Sequence, residues 1–296
     1  MELLTIGRNY YPGRKVLLYH CCREDFSTCI NSPDRLKLVC IESGTGIISI
    51  NGKREILFPP CILCLNEKDS LQLEKSNNLN ACSLYFHPST LNASLTFDNM
   101  RTCQGLSLTE TQDSSILRRS FITRDPAYNG FLAIDFIQLQ KLLQLIALIG
   151  REINDQDNDF WPCKTRSYLY KLLIEIETLF FKPAFPVNEE ITVKAGYADD
   201  IILYLHDNFH KKITIEGLAK ELHTNRNTLR ERFYQATGST VMKYLNKIRV
   251  RQAALLLRSS GLLILEISEK VGFSDTTNFG RIFKKYIGCS PSEYRN

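Results

Sequence analysis

Leu265-Glu266-Ile267-Ser268-Glu269-Lys270-Val271-Gly272-Phe273-Ser274-Asp275-Thr276-Thr277-Asn278-Phe279-Gly280-Arg281-Ile282-Phe283-Lys284-Lys285-Tyr286-Ile287-Gly288 is the stretch whose reading decides the fold. Leu265, Ile267 and Val271 recur at the spacing of one helical face, and Gly272 supplies a turn. Ser274 or Asp275 caps a second helix that carries Phe279 and Phe283 as far as Gly288, where a glycine stop is expected. Two short helices joined this tightly match the motif that lays its second helix in a DNA groove.

The same plan occurs about fifty residues earlier. Thr214 caps a helix with Ile215, Leu218, Ala219 and Leu222 on one face, and the chain turns at His223-Thr224. Asn225 then caps a helix through Leu229 and Phe233 that stops near Gly238. The two units span about 214–236 and 264–287. Between them Tyr244, Leu245, Ile248, Ala253, Leu256 and Leu257 outline a longer connecting helix. Outward on the two second helices stand Arg226, Asn227 and Arg230, and Thr276, Thr277, Asn278 and Arg281. Any one of these could be an ordinary solvated position. Two such faces on a repeated motif point to base reading, since Arg forks onto guanine, Asn onto adenine, and Thr meets the thymine methyl. Lys243, Lys247, Arg249, Lys284 and Lys285 are the candidates for phosphate contacts.

Several segments carry a family resemblance. They are Leu218-Ala219, Leu229 and Phe233 with Gly238, Tyr244-Leu245 with Arg249, Ala253 and Leu256-Leu257, and Ile267-Ser268 with Gly272-Phe273. Phe279 through Lys285, Gly288-Cys289-Ser290-Pro291 and Tyr294-Arg295 complete them. Together residues 214–295 resemble the C-terminal domain of the AraC/XylS family of bacterial transcription activators. The resemblance implies two units on adjacent major-groove segments of double-stranded DNA, roughly 34 Å apart, and contact with RNA polymerase. Three positions depart from the family pattern. His223 stands where a small residue or Gly is common, in a turn that asks for positive φ. Ser268 replaces an Ala, with a hydroxyl able to bond back to the preceding turn. Glu231 puts a carboxylate on the first reading helix.

Charge agrees with this placement. Gly196–Asn296 holds 16 Lys/Arg against 10 Asp/Glu, whereas the rest of the chain holds 21 against 22, so the whole net charge of +5 sits in the C-terminal third. At 296 residues and 44% hydrophobic content the chain is read as folded and of two domains. The expected class is α+β: an N-terminal cupin-like β-barrel with following helices, and an all-α C-terminal domain. The boundaries are 1–100 for the barrel, 101–182 for a helical dimerisation or packing region, 183–194 for a linker and 195–296 for the DNA-binding domain. Lys182-Pro183-Ala184-Phe185-Pro186 sets the linker, because two prolines cannot continue a helix. No run reaches the ~18 apolar residues of a membrane span, and Met1–Tyr11 is unlike a signal peptide. A cytoplasmic protein with reduced thiols is expected.

Strands are expected at Val16–Tyr19, Leu36–Ile41 and Ile47–Ile50, the last joined through Asn51-Gly52 to Glu55–Phe58 as a tight hairpin. Helical spacing follows over Leu106–Phe121, Phe131–Ile153 and Lys164–Phe181. The helix over Phe131–Ile153 carries a broad apolar stripe, which packs either within its own chain or also on a partner subunit. Family resemblance adds a small-molecule effector in the barrel and a homodimer, the alternative being a regulator without a ligand, controlled by a protein partner or by abundance. Only His20 and His87 precede the C-terminal part, too few for the metal site of a catalytic cupin, and His87 reads as a strand-end residue. No nucleophile, phosphate loop or metal-ligand pattern stands out, so neither an enzyme nor a cofactor is expected. Cys61 and Cys64 form a C-x-x-C and Cys21-Cys22 an adjacent pair. On a strand, residues three apart face opposite ways, which favours small core thiols over a zinc or redox site.

Overall fold

The structure, a computed structural model, describes residues 3–27, 34–126, 128–181, 196 and 198–295. The expected linker over 183–194 lies outside the described residues. The N-terminal half is built on β1 (Thr5–Ile6), β2 (Lys15–Val16), β3 (Leu18–Cys21), β4 (Leu36–Ile50), β5 (Lys53–Leu57), β6 (Cys61–Leu65), β7 (Leu71–Phe86) and β8 (Phe131–Ala133). Leu36–Ile41 and Ile47–Ile50 belong to one strand, because the ladder between β4 and β7 continues across register shifts at Ile41/Ser43, Ser43/Thr45 and Ile47/Ile48. Asn51 and Gly52 take φ of 51° and 80° and close the expected two-residue turn, with Ile50 opposite Lys53. The expected strand over Val16–Tyr19 is split. Lys15–Val16 pairs with β1, while Leu18–Cys21 pairs with β7.

The main sheet runs β3-β7-β4-β6-β8, all antiparallel, with β5 paired to β4. Among the described residues no ladder closes it into a barrel. It folds over on itself instead. The shifts bend β4 and β7, and Val39, Ile41, Leu63 and Tyr85 from one end pack in a single core with Ile48, Ile50, Leu57 and Leu71 from the other. The opposite face, with Leu36, Leu38, Cys40, Ile62 and Phe86, carries the helices.

Those helices are α1 (Phe97–Thr102), α2 (Leu108–Leu117), α3 (Phe136–Asp155) and α4 (Trp161–Phe181). Ser107 caps α2, which passes into a π-helical turn over Arg118–Ile122. The helix expected from Phe131 starts at Phe136. Phe131–Ala133 joins β6 as a strand, and Asp135 accepts from Gln138 N at 2.7 Å to begin the helix. An apolar run that meets both periods left this boundary ambiguous. Leu139, Leu142, Ile146 and Ile149 of α3 are buried within the chain, while Phe136 and Ile137 are 36% and 48% exposed. Gly150 lets the helix approach β3, since a Cβ there would stand 2.4 Å from His20 Nδ1. His87 caps the short 3₁₀ turn at the end of β7, accepting from Ser89 N at 3.1 Å.

The C-terminal half is helical: α5 (Ala198–Asn208), α6 (Ile215–Glu221), α7 (Arg226–Thr237), α8 (Val241–Ser259), α9 (Ile264–Lys270), α10 (Thr276–Ile287) and α11 (Pro291–Arg295). Helix α5 is seated on the sheet. Arg54 of β5 bridges Glu74 at 2.6 Å and Asp199 at 2.9 Å. Lys75 pairs with Asp200 at 2.9 Å, and Asp207 accepts from Thr45 Oγ1 at 2.8 Å and Asn77 Nδ2 at 3.0 Å. Phe58, between β5 and β6, is buried in the core of the first helical unit with Ile202, Leu205, Phe233 and Tyr244, its ring 4.4 Å from that of His206.

Candidate nucleic-acid interface

Each helix-turn-helix unit is assembled from local signals. In the first, Thr214 Oγ1 accepts from Gly217 N at 3.1 Å to start α6, and Leu218 and Ala219 are buried. His223 takes φ of 48°, the positive value its turn demands, and Thr224 N donates to Ala219 O at 2.8 Å. Asn225 then accepts from Thr228 N at 2.8 Å to cap α7. In the second unit it is Asp275 that caps α10, accepting from Thr277 N at 3.0 Å and Asn278 N at 2.9 Å. Ile267 and Val271 are buried as expected, but Leu265 is 53% exposed. Ile264 takes its place against the core, which rotates the short helix relative to the sequence reading. Ser268 is buried, and its hydroxyl makes no hydrogen bond among the described residues, so the back-bond expected of it is not formed.

Helix α8 joins the two. Its first half gives Tyr244, Leu245 and Ile248 to the first core, and its second half gives Ala253, Ala254 and Leu257 to the second. With 19 residues it is about 28 Å long. Tyr286 OH of α10 donates to Lys243 O at 3.1 Å, tying α10 to the start of the connector.

Arg226, Asn227, Arg230, Thr277 and Arg281 are exposed, and Thr276 and Asn278 partly so. Arg226 is turned toward Glu216 at 3.2 Å, and Arg281 Nη2 donates to Asn278 Oδ1 at 3.0 Å. Both contacts are exposed and therefore weak, so either arginine can exchange its partner at little cost. Glu231 is exposed and accepts from Gln235 at 3.4 Å. Together with Ile215, Arg230, Tyr234, Thr240, Val241 and Met242 it lines a largely apolar groove beside the reading face.

Lys243, Lys284 and Lys285 are exposed, and Lys247 is partly so. Arg249 departs from the phosphate role expected of it. It is 7% exposed, with Nε donating to Phe209 O at 2.8 Å and Nη2 to Lys211 O at 2.7 Å, and its guanidinium lies 5.5 Å from the centre of the Phe273 ring. A guanidinium satisfied by carbonyls and an aromatic face is a staple between the turn that follows α5, α8 and the second unit. Sequence spacing marked it as basic but carries no signal for which helix face is buried. Nothing in the sequence assigns Arg54 or Phe58 a contact with the C-terminal half. The available hint was Asp199, Asp200 and Asp207, an acidic cluster on one helix of a basic segment.

Cys61 and Cys64 lie on one strand, and Cys61 packs in the sheet's own core while Cys64 packs in the core under the helices. Burial pushes both thiols up to about 12.

Residues 218–296 match a helix-turn-helix domain family. Over 260 residues the chain is 24% identical to the HTH-type transcriptional activator RhaS of Escherichia coli O1:K1 / APEC, covering 88% of this chain and 84% of RhaS. The C-terminal unit carries a helix-turn-helix domain. Solved structures similar to this domain include the DNA-binding domain of AdpA in complex with a target DNA. That likeness is 29% in identity over 32% of this chain and 86% of the other, with a TM-score of 0.32. Another is the C-terminal domain of AraT, a response regulator from Geobacillus stearothermophilus, at 36% identity over 31% and 77%, with a TM-score of 0.31. The matched residues take in α7, α10 and the whole of α8.

Proposed function

We propose that the protein is a sequence-specific DNA-binding transcription regulator, an activator as RhaS is, and not an enzyme. The observation that carries this reading is the pair of reading helices α7 and α10, each with an exposed polar and basic face, held apart by one continuous helix. Arg226, Asn227 and Arg230 read one major-groove segment, and Thr276, Thr277, Asn278 and Arg281 the next. Lys243, Lys247, Lys284 and Lys285 neutralise phosphates. Selection of bound duplexes from a random library by the full-length protein tests this, and recovery of no shared sequence defeats it.

The folded-over sheet is the cupin-like sensor region of this reading, with a small effector as its signal. Its inner core contains a buried polar group: Glu24 accepts from Ser83 and Tyr85, with Phe26 N donating to the same carboxylate at 2.6 Å. The same core is otherwise filled by side chains such as Leu3, Phe26, Val39 and Ile48, which favours the alternative of control by a protein partner or by abundance. Repeating the selection with whole cell extract and with its protein-free filtrate separates the two, since only a small effector acts through the filtrate. Among the described residues no helix is long and apolar enough to cross a membrane. A cytoplasmic site of action, RNA polymerase as a partner and pairing of two copies through α3 belong to the same proposal.

A further inference from the structure

We infer that the sheet domain completes the first reading unit, so that seating of α5 on the sheet is the DNA-competent state and its release weakens reading by α7. This rests on the DNA-binding reading above.

The argument starts from what α5 packs against. Its apolar residues Ile201, Ile202 and Leu205 share one buried core with Leu229 and Phe233 of α7. Phe58, supplied by the sheet, fills a place in that same core and is 5% exposed. The core that holds the reading helix is therefore closed by a side chain from the other domain. Charge then fixes the seat. Asp199, Asp200 and Asp207 meet Arg54, Lys75, Thr45 and Asn77, and the Arg54–Asp199 pair is sheltered, with 13% and 8% of the two side chains exposed. Undocking would uncover Phe58 and strip Asp199 of its cation, so the two domains separate at a cost to both.

The seam leaves Arg226, Asn227 and Arg230 exposed, so docking does not hide the face it supports. Among the described residues, the second unit's core takes none from the sheet. A disturbance of the sheet therefore reaches the first reading helix directly through the shared core. It reaches the second less directly, by way of α8 and of Phe209, whose ring lies 5.8 Å from that of Phe58 and also packs on the second core.

The test uses the full-length protein and a duplex selected from a random library with the wild type. Arg54→Ala and Phe58→Ala alter only the sheet side and leave every residue of the DNA-binding domain in place. Each is expected to weaken binding about tenfold, within the usual range of site-to-site coupling. Base protection should fall more at the half-site of α7 than at that of α10. Lys75→Glu is expected to act the same way, and adding Asp200→Lys should recover part of the loss. Thermal unfolding confirms that Arg54→Ala remains folded. Unchanged affinity in Arg54→Ala and Phe58→Ala overturns the coupling, and tighter binding overturns its sign by making the seam inhibitory. A wild type that selects no duplex sinks the DNA-binding reading itself.

Discussion

His206 Nε2 lies 2.9 Å from the hydroxyl of Tyr244, with both residues buried in the first DNA-binding unit. Phe58 from the sheet closes over the imidazole, and Nδ1 makes no hydrogen bond among the described residues. An imidazolium in this place would be desolvated, with Arg251 adding repulsion, and these two effects lower the His206 pKa from 6.5 to about 3.

That shift makes stability depend on pH with a definite sign. The folded pKa is depressed, so the unfolded chain binds the proton first as pH falls below 6.5, and folding loses free energy until about pH 3. Between pH 7.5 and pH 5 the loss is expected to approach about 2 kcal/mol. Urea unfolding at both pH values measures it, and His206→Gln should remove most of the difference. A wild type equally stable at both would contradict a buried neutral imidazole.

Gly272 and Gly238 both hold positive φ, at 92° and 65°, but their surroundings differ. A Cβ on Gly272 would stand 2.6 Å from Phe209 O and 2.9 Å from Arg249 Nη2, while nothing lies within 4 Å of one on Gly238. Gly238→Ala is expected to cost about 1–2 kcal/mol from backbone strain alone. Gly272→Ala should cost distinctly more and should disturb the Arg249 staple as well. Equal melting temperatures for the two variants would show that the turn has room to yield.

The reading residues and the lysines should separate by the form of their defect. Arg281→Ala should relax preference at one base step, with a discrimination loss of about 1–3 kcal/mol. Lys284→Ala should weaken binding to all sequences alike and reduce the salt slope by about one. Titrations against the selected duplex and a scrambled one, at several salt concentrations, compare them. An Arg281 variant with intact preference would remove that residue from base reading.

Thiol chemistry should follow burial. Cys22 and Cys163 are exposed, while Cys61 and Cys64 are buried with their thiols pushed up to about 12. Alkylation at pH 8 followed by peptide mass mapping should label the first two quickly and the second two only on unfolding. Fast labelling of Cys61 would mean that the seam beside it opens readily.

Both helix-turn-helix units were legible from the amino-acid order alone, because caps, turns and apolar spacing are local. Thr214, Asn225, Gly238, Asp275 and Gly288 each act within one helical turn of where they stand. The Asn51-Gly52 hairpin was legible for the same reason. Tertiary structure decided whatever depended on which face meets which. Phe131–Ala133 became a strand because β6 offered it a ladder, and Leu265 turned outward because Ile264 filled the core. Arg249 went inward to the carbonyls of Phe209 and Lys211, some forty positions away. Arg54 and Phe58 gained their roles only when α5 settled on the sheet. Such contacts join residues far apart in the chain, and their free energy appears only once both surfaces exist.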